Sequence, residues 1–158
     1  MDTQVAIDIH RHFASPRERV YRAFTDETEL ASWFGPFAGW VVPGTVSIEA
    51  RVGGHRRLSM ETYSGTMRWT IDTTYTDVVE NVRLVGYEKV TGYPAFEGID
   101  PFKVSLEFFD EGGGTRLELR VNPCPREAET TSRDFWMQSF SKLDSLLAHD
   151  DGPTSRHN

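Results

Sequence analysis

The C-terminal part of the sequence, roughly residues 127–148, constrains the fold more than any other stretch. Four large apolar side chains in it follow the spacing of one helical face: Trp136, Phe140, Leu143 and Leu147. The opposite face is polar. A helix with one apolar face needs a partner surface to cover that face. We therefore predict a long amphipathic helix that packs on a larger structure formed by the preceding residues.

Most of the chain before this helix alternates between apolar and polar residues, as strands with one buried face do. Seven segments are predicted as strands: residues 5–13, 45–49, 55–63, 66–78, 83–89, 102–109 and 115–121. Short turns join most of the last six, which predicts an antiparallel meander closed by the first strand beside the last. A sheet of this size curls, so we expect the long helix to lie across its concave side.

Two short helices are predicted between the first and second strands, which gives an α+β protein. Ser15 and Pro16 have the types expected for the cap and the first residue of one helix. Asp26 has the type expected for the cap of the other helix, over Glu27–Ala31.

The length of 158 residues fits one domain, over residues 1–149, followed by a polar tail at residues 150–158. No apolar run approaches the roughly 20 residues of a membrane span, so we expect no membrane insertion. The net charge of −7 disfavours nucleic acid as a partner. The single cysteine, Cys124, fits a reducing compartment, and we expect a cytoplasmic protein.

Several short motifs, taken in order, resemble one known family. They include Ile9–Pro16, Ala23–Asp26, Trp33–Pro36, Val52–Gly54, Tyr75–Val79, Arg83–Val85 and Gly113–Leu117. Over residues 5–148 the chain resembles proteins similar to the C-terminal domain of the Hsp90 ATPase activator, within the START/Bet v 1-like helix-grip superfamily. The resemblance implies a curved seven-stranded antiparallel sheet wrapped around the long helix. Gly86 departs from it, because one bacterial branch commonly carries an aromatic residue there.

The aromatic residues, 12% of the chain, predict an apolar cavity between helix and sheet, although a filled core would use them equally well. Residues 35–44 and 91–101 are predicted as long loops at the cavity entrance, beside Trp33. The alternative role for Trp33 is to pack the short helices against the sheet. The candidate ligand-binding residues are Trp33, Phe34, Leu58, Met60, Trp69, Tyr87, Phe108, Trp136 and Phe140.

Polar groups that face the cavity would orient a ligand. The candidates are Arg57, Glu61, Asp72, Tyr87, Glu88 and Glu107, and a register slip of one residue would turn any of them outward. His10 and His12 have the spacing of two metal ligands, but no third ligand lies nearby in the sequence. We expect no metal and no cofactor, and the sequence identifies no catalytic residue.

The leading hypothesis is a protein that binds a hydrophobic, aromatic or lipid-like small molecule between the helix and the sheet. Two alternatives stay open, and both draw on the functions found in the superfamily. One is an enzyme, similar to polyketide cyclases or dehydrases or to hydrolases, that uses the same cavity. The other is a stress-related co-chaperone that binds a protein through its surface. These hypotheses leave open whether the protein forms a homodimer or has a chaperone as its partner.

Overall fold

The computed structural model describes residues 3–150 and has the α+β architecture predicted from the sequence. The elements are β1 (Gln4–Phe13), α1 (Arg17–Thr25), α2 (Glu27–Trp33), β2 (Gly39–Val41), β3 (Ser47–Ile48), β4 (His55–Thr62), β5 (Arg68–Val79), β6 (Arg83–Thr91), β7 (Phe102–Glu111), β8 (Gly114–Pro125) and α3 (Glu129–Asp150). Single 3-10 turns occupy Pro94–Phe96 and Arg126–Ala128. Within the described residues, no helix is long and apolar enough to cross a membrane.

All the strands pair antiparallel in one curved sheet, in the order β1-β8-β7-β6-β5-β4-β2. Strand β3 also pairs with β4, further along the edge that β2 occupies, so the sheet is seven strands wide. Strand β1 closes the sheet beside β8, with Ile9 opposite Leu119. The fold class, the meander and the position of the first strand are thus confirmed.

The segment at residues 35–44 differs from its prediction as a loop, because Gly39–Val41 forms the edge strand β2. A Cβ atom at Gly39 would lie 2.9 Å from the carbonyl oxygen of Glu61, so glycine lets the two backbones approach. The glycines and prolines of this segment suggested a loop. A strand of three residues is too short to show the alternation of apolar and polar residues that would have revealed it.

The ends of several elements also differ from the prediction. Strand β8 runs on to Pro125 because it keeps pairing with the start of β1, and α3 begins only at Glu129, after a 3-10 turn. Pro16 stands at the N-cap of α1 instead of Ser15. Asp26 caps α2 as predicted and accepts a hydrogen bond from the Glu29 N–H at 2.9 Å. Asp150 is the last residue of α3, and residues 151–158 of the predicted tail lie outside the described residues.

Helix α3 buries the face that the sequence indicates, with Trp136, Phe140, Leu143 and Leu147 against the inside of the sheet. Its other contacts fix the chain that follows α2. Ser139 Oγ accepts from the Gly35 N–H (2.8 Å), Gln138 Oε1 accepts from the Phe37 N–H (2.8 Å), and Lys142 Nζ donates to the Pro36 carbonyl (3.2 Å). The middle of α3 is therefore held by polar contacts as well as by packing.

Candidate functional site

A small cavity lies between the first turns of α3, the inner face of the sheet and the segment that joins β6 to β7. Its free volume is about 50 Å³. The residues that line it are mostly aromatic or aliphatic: Trp69, Ile71, Glu88, Val90, Tyr93, Phe96, Phe102, Val121, Thr131, Ser132, Phe135 and Trp136. We call this region the cavity end of the molecule.

Aromatic rings surround this cavity through a chain of contacts. Trp69 meets Tyr93 edge to face at 5.2 Å between ring centroids, and Phe96 packs on Phe102 at 5.5 Å. On the helix side, Trp136 and Phe135 both pack on Phe34, at 5.6 and 5.2 Å. Rings supply a large apolar area with few rotatable bonds, so the walls suit a flat apolar occupant.

One edge of the cavity is charged. Arg56, Thr73 and Glu88 lie opposite one another on β4, β5 and β6, in a single row across the inner face of the sheet. Arg56 Nη2 donates to Glu88 Oε1 at 2.7 Å, and Thr73 Oγ1 donates to the same oxygen at 2.9 Å. The Arg56 guanidinium also lies over the ring of Phe34, with Cζ 5.0 Å from the ring centre. Only 2% of Arg56 and 6% of Glu88 are exposed.

Not every polar atom in this region is satisfied. Within residues 3–150, Arg56 Nε and Tyr75 Oη are buried and have no hydrogen-bond partner. Both hydrogen bonds to Glu88 reach Oε1, and none of the described residues donates to Oε2. Burial raises the pKa of the Tyr75 phenol, which the charge of Arg56 lowers and that of Glu88 raises further. The phenol is therefore neutral at ordinary pH.

The outer wall of the cavity is the segment at residues 92–101, which contains the 3-10 turn Pro94–Phe96. A hydrogen bond of 2.6 Å from Lys89 Nζ to the Ile99 carbonyl holds it to β6. Ligand pockets usually measure about 300–1,000 Å³, several times the free volume here. A drug-sized occupant would therefore have to push this segment or the start of α3 outward.

The predicted site residues divide into three groups in the structure. Trp69 and Trp136 line the cavity. Six others are buried in the packed core: Trp33, Phe34, Leu58, Met60, Phe108 and Phe140. Tyr87 differs from the prediction because it lies on the outer face of β6 with 45% of its surface exposed, and the neighbouring Glu88 faces inward.

Trp33 lies inside the molecule and not at the cavity mouth. Its indole Nε1 donates to the Ala23 carbonyl at 3.0 Å, and its ring packs on Phe24 at 4.8 Å. Phe24 in turn packs on Phe108, as does Tyr21. These four rings (Tyr21, Phe24, Trp33 and Phe108) join the short helices to the sheet, and we call this cluster the closed end of the molecule.

The sequence reasoning missed Arg56 and three aromatic residues of the cavity, namely Tyr93, Phe96 and Phe102. Arg56 lies two residues before Leu58, so it shares the inward face predicted for that strand. Alternation alone would have assigned Arg56 to the inner face. Because arginine is rarely buried, that position was not recognised as inward. Tyr93 and Phe96 belong to an irregular segment that has no periodicity to reveal an inward face.

His10 and His12 lie on the outer face of β1, where His12 Nε2 is 3.2 Å from the Glu111 carbonyl oxygen. Across residues 3–150, no three His, Cys, Asp or Glu side chains come close enough together to hold a metal ion. Among the described residues that line the cavity, Glu88 alone carries a carboxylate.

The model of one protein family, described as activator of Hsp90 ATPase homolog 1-like protein, matches residues 14–148. The chain belongs to this family. The match confirms the resemblance predicted from the ordered motifs. No curated protein matches the sequence.

Solved structures of similar proteins share the fold of this activator-homologue family member. A protein from Chromobacterium violaceum is 23% identical, with a TM-score of 0.78 over 90% of this chain and 96% of its own. The AHSA1 protein from Silicibacter pomeroyi is 20% identical, with a TM-score of 0.78 over 92% of this chain and 99% of its own. A protein from Mycobacterium smegmatis is 20% identical, with a TM-score of 0.75 over 90% of each chain. At these identities the likeness establishes the architecture alone.

Proposed function

We propose that this protein binds a hydrophobic small molecule, aromatic or lipid-like, in the cavity between α3 and the sheet. The observation that carries the proposal is an aromatic-walled cavity with a buried ion pair at its edge. The apolar walls supply binding free energy roughly in proportion to the area that they cover. We place this function in the cytoplasm, in keeping with the single free thiol of Cys124.

The ion pair supports a binding role because a buried ion pair is weak evidence for a contribution to stability. Replacing a buried Arg–Glu pair by apolar residues of similar volume is often neutral or stabilising in other proteins. A core that needed only stability would be served by aliphatic side chains at Arg56 and Glu88. Buried charged groups beside a cavity are a common feature of functional sites.

The test is a thermal-shift screen of flat aromatic and lipid-like compounds against the wild type. We expect at least one class of compound to raise the melting temperature, because a ligand that binds only the folded state stabilises it. In Val90→Phe the larger ring would fill the cavity, and the rise should disappear. Trp136→Ala should weaken binding, whereas Met137→Ala, a change at the neighbouring exposed residue, should not.

Two results would contradict the proposal. One is a screen in which no compound raises the melting temperature of the wild type. The other is a rise of the same size in Val90→Phe, which would place the ligand outside the cavity.

A second candidate function, binding of a chaperone, rests on an exposed aromatic patch beside strand β2. Trp40 and Tyr63 stack with ring centroids 6.4 Å apart and remain 39% and 70% exposed, and Phe37 is 58% exposed. Exposed apolar groups of this kind often mark sites of protein interaction. The family description names an activator of Hsp90 ATPase.

The test compares the ATPase rate of an Hsp90-type chaperone alone, with the wild-type protein, and with the double variant Trp40→Ala/Tyr63→Ala. An unchanged rate on addition of the wild type would end this candidate.

A further inference from the structure

The polar edge of the cavity limits the kind of ligand that it can take. Glu88 is more than nine-tenths buried and lines the cavity, and its Oε1 already accepts hydrogen bonds from Arg56 and Thr73. Its Oε2 receives no hydrogen bond from residues 3–150. Because Oε2 is not among the fully buried atoms that lack a partner and Glu88 lines the cavity, an occupant that offers an O–H or N–H group to this oxygen gains a charge-assisted hydrogen bond.

The charge balance of the row argues against an ionised ligand. Arg56 and Glu88 already neutralise each other at 2.7 Å. A ligand carboxylate would add a second negative charge beside Glu88, and a ligand ammonium would leave the row with an excess positive charge. Either ion would lose its water in an apolar cavity without full compensation, which is costly. A neutral polar group avoids that loss.

Two other polar atoms near Glu88 lack a partner within residues 3–150, but they belong to Arg56 and Tyr75, which do not line the cavity. Arg56 Nε belongs to the same row as Glu88, and Tyr75 Oη belongs to the next inward residue along β5 after Thr73. Both of these atoms can donate a hydrogen bond, whereas Glu88 can only accept one. Of these three residues only Glu88 lines the cavity, and a hydroxyl is the smallest neutral group that offers a donor to its carboxylate.

We propose that the ligand is amphipathic and neutral, with a flat apolar body held by the cavity rings and a hydroxyl that donates to Glu88 Oε2. This inference rests on the proposed function and adds the chemical class of the ligand. Phenols and hydroxylated polycyclic compounds belong to this class. The same bodies without the hydroxyl, and the corresponding carboxylic acids, fit less well.

The experiment compares two probes of nearly equal shape, 2-naphthol and 2-methylnaphthalene, which carry a hydroxyl and a methyl group at the same position. Their affinities are measured by titration of the wild-type protein labelled at its methyl groups. NMR shifts of Ile71, Val90 and Val121 report whether each probe enters the cavity. We expect 2-naphthol to bind at least about tenfold more tightly, because a hydrogen bond to a charged group outweighs the more apolar methyl.

Variants locate the source of this preference. Glu88→Gln retains a carbonyl oxygen for Arg56 and Thr73 but presents an amide nitrogen in place of Oε2. The hydroxyl can then exchange only a neutral hydrogen bond with the side chain, so the preference for 2-naphthol should fall. Glu107→Gln makes the same change on the outer face of β7 and should leave the preference intact. Arg56→Met/Glu88→Leu removes the pair as a whole and should bind both probes with similar affinity. The preference of the wild type tests the inference even if a variant does not fold.

The outcomes are distinct. A preference for 2-naphthol that falls in Glu88→Gln supports the inference. Equal binding of the two probes at the cavity methyl groups overturns it and leaves the proposed function in place. A preference of undiminished size in Glu88→Gln also overturns it. If neither probe shifts the cavity methyl groups at any concentration, both the inference and the proposed apolar binding fail for this class of ligand.

Discussion

Strand β7 carries a phenylalanine at each end of its inner face, and the two rings lie in different settings. Phe108 belongs to the closed end, where the rings of Tyr21 and Phe24 meet it edge to face at 5.5 and 5.6 Å. Phe102 belongs to the cavity end, where it packs on Phe96 and borders free volume. The same side chain therefore serves mainly stability at one end and leaves room for an occupant at the other.

Helix α3 repeats this contrast along its length. From its middle onward the apolar face is fully buried, with Phe140 edge to face on Phe13 at 5.8 Å and Ser139 bonded to Gly35. Its first half presents Thr131 and Ser132 to the cavity. A helix fixed at one end and loosely covered at the other can admit a ligand without losing the fold, because local opening draws on the least packed part of a structure.

The largest expected effect comes from truncating the two phenylalanines of β7. Phe108→Ala should lower the free energy of unfolding by about 3–5 kcal/mol, as fully buried aromatic residues do when their neighbours cannot collapse into the gap. Phe102→Ala should lower it by at least about 1 kcal/mol less, because one side of that ring already faces free volume. Urea unfolding of both variants measures the difference.

Phe109→Ala serves as the control for this pair, since Phe109 lies on the outer face of the same strand beside Arg116. Its effect should be close to that of an ordinary surface substitution, about 0.5 kcal/mol. Equal losses for Phe102→Ala and Phe108→Ala would show that the two ends are equally well packed.

The polar attachment of α3 should produce the next largest effect. Ser139→Ala removes the acceptor of the buried Gly35 N–H, and an unsatisfied buried donor costs about 1–3 kcal/mol. Ser141→Ala, two residues further on and exposed, should change the free energy of unfolding by less than about 0.5 kcal/mol. Chemical denaturation of the two variants gives both values, and equal effects would mean that the attachment of α3 to Gly35 contributes nothing to stability.

Adding one methylene beside the cavity and one in the filled core sharpens the comparison further. Val90→Ile at the cavity should raise the free energy of unfolding by about 0.5 kcal/mol, because the added carbon fills existing space. Val104→Ile, on the filled part of the sheet, should lower it by about 1 kcal/mol through overpacking. Opposite signs in denaturant titrations are the expected result, and a loss in both variants would argue that the cavity walls cannot accept more volume.

The comparison can also be tested through pH. Burial, with contributions from Tyr75 and Glu80, raises the pKa of Tyr21 at the closed end to about 12. The unfolded chain releases this proton near pH 10, so the stability that the neutral phenol supplies is complete below about pH 10 and is lost as the pH rises toward about 12.

Tyr21→Phe should therefore lose less stability than the wild type between about pH 10 and 12. Tyr87→Phe, an exposed control on the outer face, should follow the wild type. Thermal unfolding across this pH range tests both expectations, and a Tyr21→Phe variant that follows the wild type would show that Tyr21 titrates as an exposed tyrosine does.

The closed end could be predicted from the sequence to a greater extent than the cavity end. Strands β7 and β8 bury every second residue and carry large apolar side chains at those positions, so their inner faces could be assigned by alternation. In the middle of β6 the pattern is inverted, because Gly86 and Glu88 face inward while Val85 and Tyr87 face outward. Residue types there point to the wrong face, although Leu84 and Val90 at the two ends of the strand point to the right one.

The ion pair could not be predicted for a different reason. Arg56 and Glu88 are 32 residues apart and meet only because β5 lies between their strands, with Thr73 at the crossing point. Local periodicity contains no information on which strands become neighbours in space. The cavity depends on such pairings, and also on the irregular segment at residues 92–101, so it became visible only in three dimensions.

The ladder between β1 and β8 has a consequence for synthesis on the ribosome. Gln4 pairs with Pro125 and Phe13 with Thr115. Strand β1 therefore cannot pair until the ribosome has added more than a hundred further residues and completed β8. At the usual speeds of translation this wait lasts roughly ten seconds, and contacts of such long sequence separation also form slowly. During that time an apolar strand with unpaired backbone groups is open to other chains. The native topology therefore requires that residues 4–13 be protected from other chains until β8 has been synthesised.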